Sequence, residues 1–207
     1  MGKITAIEPQ KRRGYRRSIF VDGEFLVGTH EDIIVALGLG VGQSFDDDRL
    51  VEILKAEEIR KARESAFRLL GYRDRSVSEI RKRLIGSDFP EDTVEEVIKQ
   101  LSGCGLLNDE KFSRGWVNSR TAAKPMGRTR LAWELRSKGI DASTVEEALD
   151  SLDEDAEFQL ALSVAQKKIG KSDGFDPDSK KRLGSFLARR GFGWEVINRV
   201  FEELLHE

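Results

Sequence analysis

The sequence predicts a mainly α-helical protein: three tandem three-helix repeats, helix-turn-helix-like and arranged as a curved stack, behind a small N-terminal segment that contains a β-hairpin. Three observations predict it. A helical segment recurs at intervals of about 51 residues, the signature of stacked modules. Residues 80–89 align without gaps on residues 131–140 and 183–192. Apolar residues follow each copy at helical spacing: Val94, Val97, Ile98 and Leu101; Val145, Ala148, Leu149 and Leu152; Ile197, Val200, Phe201 and Leu204. Finally, Asp22-Gly23 separates Ser18-Ile19-Phe20-Val21 from Glu24-Phe25-Leu26-Val27, as a tight type I′ hairpin turn requires.

The elements follow in order. Residues 3–28 read as strands of a small sheet. Residues 31–37 suit a short helix ended by the glycines of Gly38-Leu39-Gly40-Val41-Gly42, and Asp46-Asp47-Asp48 favour the positive start of the next helix. That helix extends from Arg49 to about Tyr72, with an apolar stripe of Leu50, Ile53, Leu54 and Ile59 leading into Ala66, Phe67 and Leu70. A boundary near residue 60 sets the N-terminal segment at 1–60 and the repeats at 61–108, 109–154 and 155–207. Each repeat opens on its own helix, at residues 64–72, 109–120 and 155–168, for about nine repeat helices in all. Ser76-Val77-Ser78-Glu79 fits a capping box, as does Ser143-Thr144-Val145-Glu146. Gly139 and Gly191 stand where a left-handed C-terminal cap is wanted. Residues 170–178, with Pro177, are a polar interruption expected to form a flexible loop.

The chain has 207 residues, 39% hydrophobic and 35% charged, enough to bury a core beneath wide solvated helix faces. Its longest apolar runs, such as 33–39, fall short of the ~18 residues that span a bilayer. The start Met1-Gly2-Lys3-Ile4-Thr5 has no signal-peptide apolar stretch, so a soluble, cytoplasmic protein is expected. Cys104 is the one cysteine, and His30 and His206 are the histidines, which excludes an intrachain disulfide and leaves too few ligands for a Cys/His zinc site. No metal and no cofactor is expected. Gly170-Lys171-Ser172 resembles the end of a phosphate-binding loop, but Ala165 occupies the position of its first glycine. Gly38-Leu39-Gly40-Val41-Gly42 reads as a connection rather than a dinucleotide fingerprint. Neither histidine stands in a triad-like arrangement, so no catalytic residue is assigned and no enzyme is expected.

The net charge of −2 shows no basic excess, but the charges are segregated. Cations gather at Lys11, Arg12, Arg13, Arg16 and Arg17, around Arg68–Arg83, and between Arg120 and Lys138, whereas residues 141–157 carry no Lys or Arg. Solvated helix faces explain any one cluster. Repetition suggests more: Arg128 and Lys180, Arg130 and Arg182, and Lys138 and Arg190 occupy equivalent places in repeats two and three. The candidate partner-binding residues are therefore Arg73, Arg75, Arg81 and Arg83 around the first repeat, Arg128, Arg130, Arg136 and Lys138 in the second, and Lys180, Arg182, Arg189 and Arg190 in the third. Residues 81 and 83 lie about 200° apart on a helix, so they cannot share one face. Lys138 and Arg190 fit an interaction with a helix C-terminus equally well. Trp116, Trp133 and Trp194 invite base stacking beside arginines, but their apolar neighbours favour a place in the core. The third helices open on Thr93-Val94-Glu95-Glu96-Val97 and Thr144-Val145-Glu146-Glu147-Ala148, whose acids would meet phosphate repulsion in a DNA groove.

At Ser76-Val77-Ser78-Glu79-Ile80, Gly103-Cys104-Gly105-Leu106-Leu107-Asn108-Asp109-Glu110-Lys111-Phe112 and Gly127 through Ile140, the sequence resembles the RecX family of recombinase regulators. The resemblance covers about residues 60–207. Ile4-Thr5-Ala6-Ile7, Asp22-Gly23-Glu24-Phe25 and Leu39-Gly40-Val41-Gly42-Gln43 look like the N-terminal extension of many members. Asn108-Asp109 departs from two acidic residues, and repeat three has no Glu in the position of Glu79 or Glu134. The resemblance implies a non-catalytic protein that binds the RecA recombinase filament and limits recombination, with basic groups approaching DNA phosphates or acidic protein patches. Neither a membrane nor a small-molecule substrate is expected as a partner. A protein that binds single- or double-stranded DNA directly is the rival reading, and an adaptor for an acidic protein is a third.

Overall fold

The computed structural model describes residues 2–10, 13–169 and 177–206. Lys11, Arg12, the Gly170-Lys171-Ser172 stretch and residues 170–176 of the expected loop lie outside the described residues. Two compact units are present, residues 1–73 with 81–103 and residues 74–80 with 104–207.

In the first unit, β1 (Gly2–Gln10), β2 (Arg13–Val21), β3 (Glu24–His30) and β4 (Ser44–Phe45) form an antiparallel sheet in the order β3-β2-β1-β4. The expected hairpin is present, since Asp22 and Gly23 both take positive φ, 51° and 89°, as a type I′ turn demands. The sheet extends further than the hairpin because β1 pairs β2 on one side and β4 on the other. Helix α1 (Glu31–Ala36) ends before Gly38, and α2 (Asp47–Leu70) starts on Asp46, whose side chain accepts from the Arg49 N–H at 3.0 Å. Ile53 of α2 joins Ile4, Ile19, Leu39 and Phe45 in one core. The boundary expected near residue 60 falls inside α2, which runs unbroken from that core to the first repeat. There α4 (Glu91–Gly103) packs on α2.

Glu57 ties α2 to the sheet. It is 6% exposed and collects donors on both oxygens: Oε1 accepts from the His30 N–H at 2.5 Å and the Thr29 hydroxyl at 3.0 Å, while Oε2 faces Arg16 at 3.2 Å and Arg60 at 3.5 Å. Burial works to raise its pKa, but the His30 and Thr29 hydrogen bonds and the Arg16 and Arg60 charges together hold the carboxyl below its ordinary value.

The remaining helices are α3 (Val77–Ile85), α5 (Asp109–Ala123), α6 (Arg128–Ser137), α7 (Ala142–Leu149), α8 (Glu154–Ile169), α9 (Pro177–Arg189) and α10 (Trp194–His206). In repeat two α7 packs on α5 and α6, and in repeat three α10 packs on α8 and α9. The aligned positions Ile80, Leu131 and Leu183 are all buried, at 0%, 0% and 3% exposure, as the repeat requires. Leu160 packs against the cores of both repeats two and three.

The capping box at Ser76 forms: the Ser76 hydroxyl accepts from the Glu79 N–H at 3.1 Å, and the Glu79 carboxylate accepts from the Ser76 N–H at 3.3 Å. Asn108 caps α5 by accepting from the Lys111 N–H at 2.7 Å, so its departure from an acid leaves the cap intact. The capping box expected at Ser143 does not form. Helix α7 starts earlier, on Asp141, whose two oxygens accept from the Thr144 N–H at 2.9 Å, the Thr144 hydroxyl at 2.7 Å and the Ser143 hydroxyl at 2.6 Å. Three donors on one carboxylate outcompete a hydroxyl cap, and they hold that carboxyl far below the ordinary range, the Ser143 hydrogen bond most of all.

Within the second unit the middle helices meet end to end through a joint used twice. At the first, the Ser76 hydroxyl at the start of α3 donates to the Lys138 carbonyl at the end of α6, at 2.7 Å. At the second, the Gly127 N–H before α6 donates to the Arg190 carbonyl after α9, at 3.0 Å. Both helix ends close on a left-handed glycine, Gly139 with φ 78° and Gly191 with φ 85°. The N–H groups of Gly139 and Ile140 return to Arg136 and Leu135, and those of Gly191 and Phe192 to Ala188 and Leu187. Each glycine also touches the next module: a Cβ on Gly139 would overlap Ser78, and one on Gly191 would overlap the backbone of Arg130.

Candidate functional site

The joints decide which of the repeated cations face outward. Arg128 does not. Its N–H donates to Glu157 at 2.8 Å, and its Nη1 donates to the carbonyls of Leu149 and Leu152 at 2.6 Å each. A cation there adds a charged donor to the carbonyl of Leu149, the last residue of α7, which also accepts from the Leu152 N–H, and to the Leu152 carbonyl just beyond it, while Glu157 supplies the acceptor that Gly127, without a side chain, cannot offer at the start of α6. Lys138 is half-buried, with Nζ 3.0 Å from Glu79 and 4.1 Å from the Trp116 ring centroid. Arg190 donates to the Pro125 carbonyl at 3.1 Å and covers Phe186. These three structural cations sit at or beside the joints. In the first unit Arg81 makes a two-pronged pair with Glu95, at 2.6 and 2.9 Å, while Arg83 is exposed. Arg73 is exposed and Arg75 half-buried.

Arg130, Arg136, Lys180, Arg182 and Arg189 are exposed on α6 and α9. Arg130, Trp133 and Arg136 follow one another at three-residue spacing, and Arg182, Ser185 and Arg189 at three and four, so each set forms a stripe along its helix. The second joint connects the stripes, because Gly191, two residues beyond Arg189, lies against Arg130. Beside the α9 stripe, Lys168, Lys181, Arg182, Phe186 and Arg189 line a shallow recess of about 420 Å³. Lys180 holds Nζ 5.0 Å from the Phe201 ring centroid, and Arg182 donates to the Ser179 hydroxyl at 3.0 Å.

The tryptophans divide. Trp116 packs beside the repeat-two core, stacked on Phe112, and donates its N–H to Glu134 at 3.0 Å, where Arg120 also binds at 2.9 Å. Trp133 and Trp194 are not core residues: they are 56% and 67% exposed. Leu131, Ala132 and Leu135 turn the buried side of α6 inward, and position 133 lies about 200° from both 131 and 135. The Arg130 guanidinium lies over the Trp133 ring, 4.4 Å from its centroid, with Nε 3.7 Å from Glu134. Apolar neighbours in sequence were a poor guide because helical phase, not proximity along the chain, decides burial.

Glu157 is 5% exposed, and burial pushes its pKa up, against the opposing Arg128 N–H and charge, with Glu154 reinforcing the rise. A carboxylate with a raised folded-state pKa contributes stability at low pH that is lost as pH rises through that value. The Glu157→Gln variant keeps an acceptor for Arg128 and removes the buried charge. It should melt at or above the wild-type temperature at neutral pH, with the gap closing below about pH 4.3, the ordinary glutamate value. Circular-dichroism melts across that range check this; a lower melting temperature at neutral pH would show the charge itself to be needed.

Among the described residues no group of three or more His, Cys, Asp or Glu is placed to hold a metal ion, and no helix is long and apolar enough to cross a membrane. The described residues thus form a repeat-built helical protein with exposed cations along its middle helices. The comparisons give the family. The RecX first, second and third three-helix domains match residues 62–101, 108–149 and 155–201, and the Regulatory protein RecX N-terminal domain matches residues 2–46. The chain belongs to the RecX family of regulatory proteins. It is 32% identical to the regulatory protein RecX of Clostridioides difficile, over 100% of this chain and 97% of the relative. It is 30% identical to that of Bacillus subtilis, over 99% and 78%. A crystal structure of regulatory protein RecX superposes with a TM-score of 0.83 at 26% identity, covering 98% of this chain and 100% of that one. The RecX structure from Lactobacillus salivarius, at 24% identity and a TM-score of 0.68, shares the fold over 73% of this chain.

Proposed function

We propose that this protein binds filaments of the RecA recombinase in the cytoplasm and restrains their strand exchange and ATP hydrolysis, without hydrolysing ATP itself. Membership of a regulatory family across all four of its domains carries this reading. The exposed stripes of α6 and α9 suit it, since modules joined end to end present cations along an extended partner. Titration into preformed filaments, with ATP turnover and cosedimentation measured together, tests it. Turnover should fall as the protein cosediments; absence of binding at micromolar concentration would overturn the reading.

The cations should separate by role. Replacing Arg130, Arg136, Arg182 and Arg189 by Ala together should weaken filament binding and flatten its salt dependence, while melting stays close to wild type, because exposed cations typically change stability within about ±0.5 kcal/mol each. Arg128→Ala should instead lower the melting temperature, since it strips a donor from two carbonyls at the end of α7. Unchanged affinity and salt slope in the fourfold variant would place the interface elsewhere, with Arg73, Arg75, Arg81 and Arg83 the next set.

A further inference from the structure

We infer that Trp133, with Arg130 over its ring, is a base-stacking site for single-stranded DNA, flanked by the cations of α6 and α9. This goes beyond filament binding and does not depend on it. The indole is more than half exposed on the outer side of α6, and the guanidinium lies 4.4 Å from its centroid. Such a pair offers a π surface beside a fixed positive charge, the two features that a nucleotide, a flat base on an anionic backbone, presents in complement. Cations continue in both directions: Arg136 further along α6 and, through the second joint, Arg189 and Arg182 along α9. A phosphate chain following that line would carry successive bases past one indole. Duplex DNA cannot use the indole in this way, because its bases are already stacked on one another.

The other exposed tryptophan shows what distinguishes the site. Trp194 is at least as open, but it lines a recess in which the carboxylates of Asp150, Asp153, Glu154, Glu157 and Glu195 outnumber the cations Arg128 and Arg199, so that a phosphate chain would be repelled on balance. Exposure of an indole is common to both residues; the balance of charge separates them, with Arg130 and Arg136 against Glu134 beside Trp133 and carboxylates in excess beside Trp194.

Fluorescence anisotropy of a labelled oligothymidylate, titrated with the full-length protein and no recombinase, tests the inference. Wild-type protein should bind with marked salt dependence. Trp133→Ala should bind roughly tenfold more weakly, the scale of one lost stacked base, and Trp133→Leu, which keeps apolar bulk but no ring, should bind as weakly. Trp133→Phe should retain most of the affinity and Trp194→Ala all of it. An abasic oligomer of equal length should bind the wild type more weakly, and Trp133→Ala should not weaken it further. Circular-dichroism melts confirm that the variants fold. The inference is overturned if the wild type does not bind the oligothymidylate, if Trp133→Ala and Trp133→Leu bind it as the wild type does, or if Trp133→Ala weakens abasic and base-bearing strands alike. It is also overturned if Trp133→Ala loses filament binding while holding free oligothymidylate normally, because the indole then faces protein.

Discussion

Replacing Gly191 by alanine is expected to destabilise the second unit by about 2–5 kcal/mol and to lower its melting temperature by roughly 5–15 °C. Two costs combine. The residue has φ 85°, a backbone conformation that an L side chain occupies only under strain. Its new Cβ would also fall on the backbone of Arg130, which cannot swing aside as a flexible side chain does. Gly127→Ala should cost a comparable amount, since its Cβ would meet the Gly191 carbonyl. The double variant should cost less than the sum, because both changes open the same joint. Gly193→Ala is the control: its Cβ would meet nothing within 4 Å. Thermal melts of the four variants decide the matter, and a Gly191→Ala melt superimposable on wild type would mean the joint yields easily.

Glu57→Ala should be comparably damaging to the first unit, at about 3–5 kcal/mol, the scale for removing one partner from a buried ion pair. It leaves the guanidinium groups of Arg16 and Arg60 without their shared carboxylate, and the His30 N–H and Thr29 hydroxyl without an acceptor. The acid dependence should change with it. The folded carboxyl titrates below its ordinary value, so its stabilisation is complete above the unfolded value of about 4.3 and is lost as pH falls through the lower folded value. Glu57→Gln should therefore lower stability most at neutral pH and converge on wild type in acid. A constant difference between the two melting curves at every pH would exclude the charge as the source.

Much of the fold was legible in the sequence because its signals are local and periodic. A 3.6-residue apolar rhythm marks Val94, Val97, Ile98 and Leu101 as one buried face, and the order Asp22-Gly23 encodes its own turn. What escaped depends on partners distant in the chain. Glu57 follows Ile53 by four residues, on the buried side of α2, where an acid signals a polar hub; its donors Arg16, Thr29 and His30 come from two strands, β2 and β3. Arg128 and Lys180 occupy equivalent places, but one reaches the carbonyls of α7 and the other is exposed, a difference that repeat alignment alone does not carry. Trp133 was legible in principle: on a helical wheel it falls opposite Leu131 and Leu135, and its phase outweighs the apolar residues beside it in sequence.

The end-to-end joint confers polarity. A symmetric contact would pair like ends and leave the module without direction, but here the start of one middle helix always receives the finish of the later one. The same handshake made twice distinguishes front from back across residues 74–80 and 104–207. Under the proposed reading, the two orientations of a directional polymer are therefore not equivalent, because reversal would change the order in which Arg182, Arg189, Arg130 and Trp133 meet it.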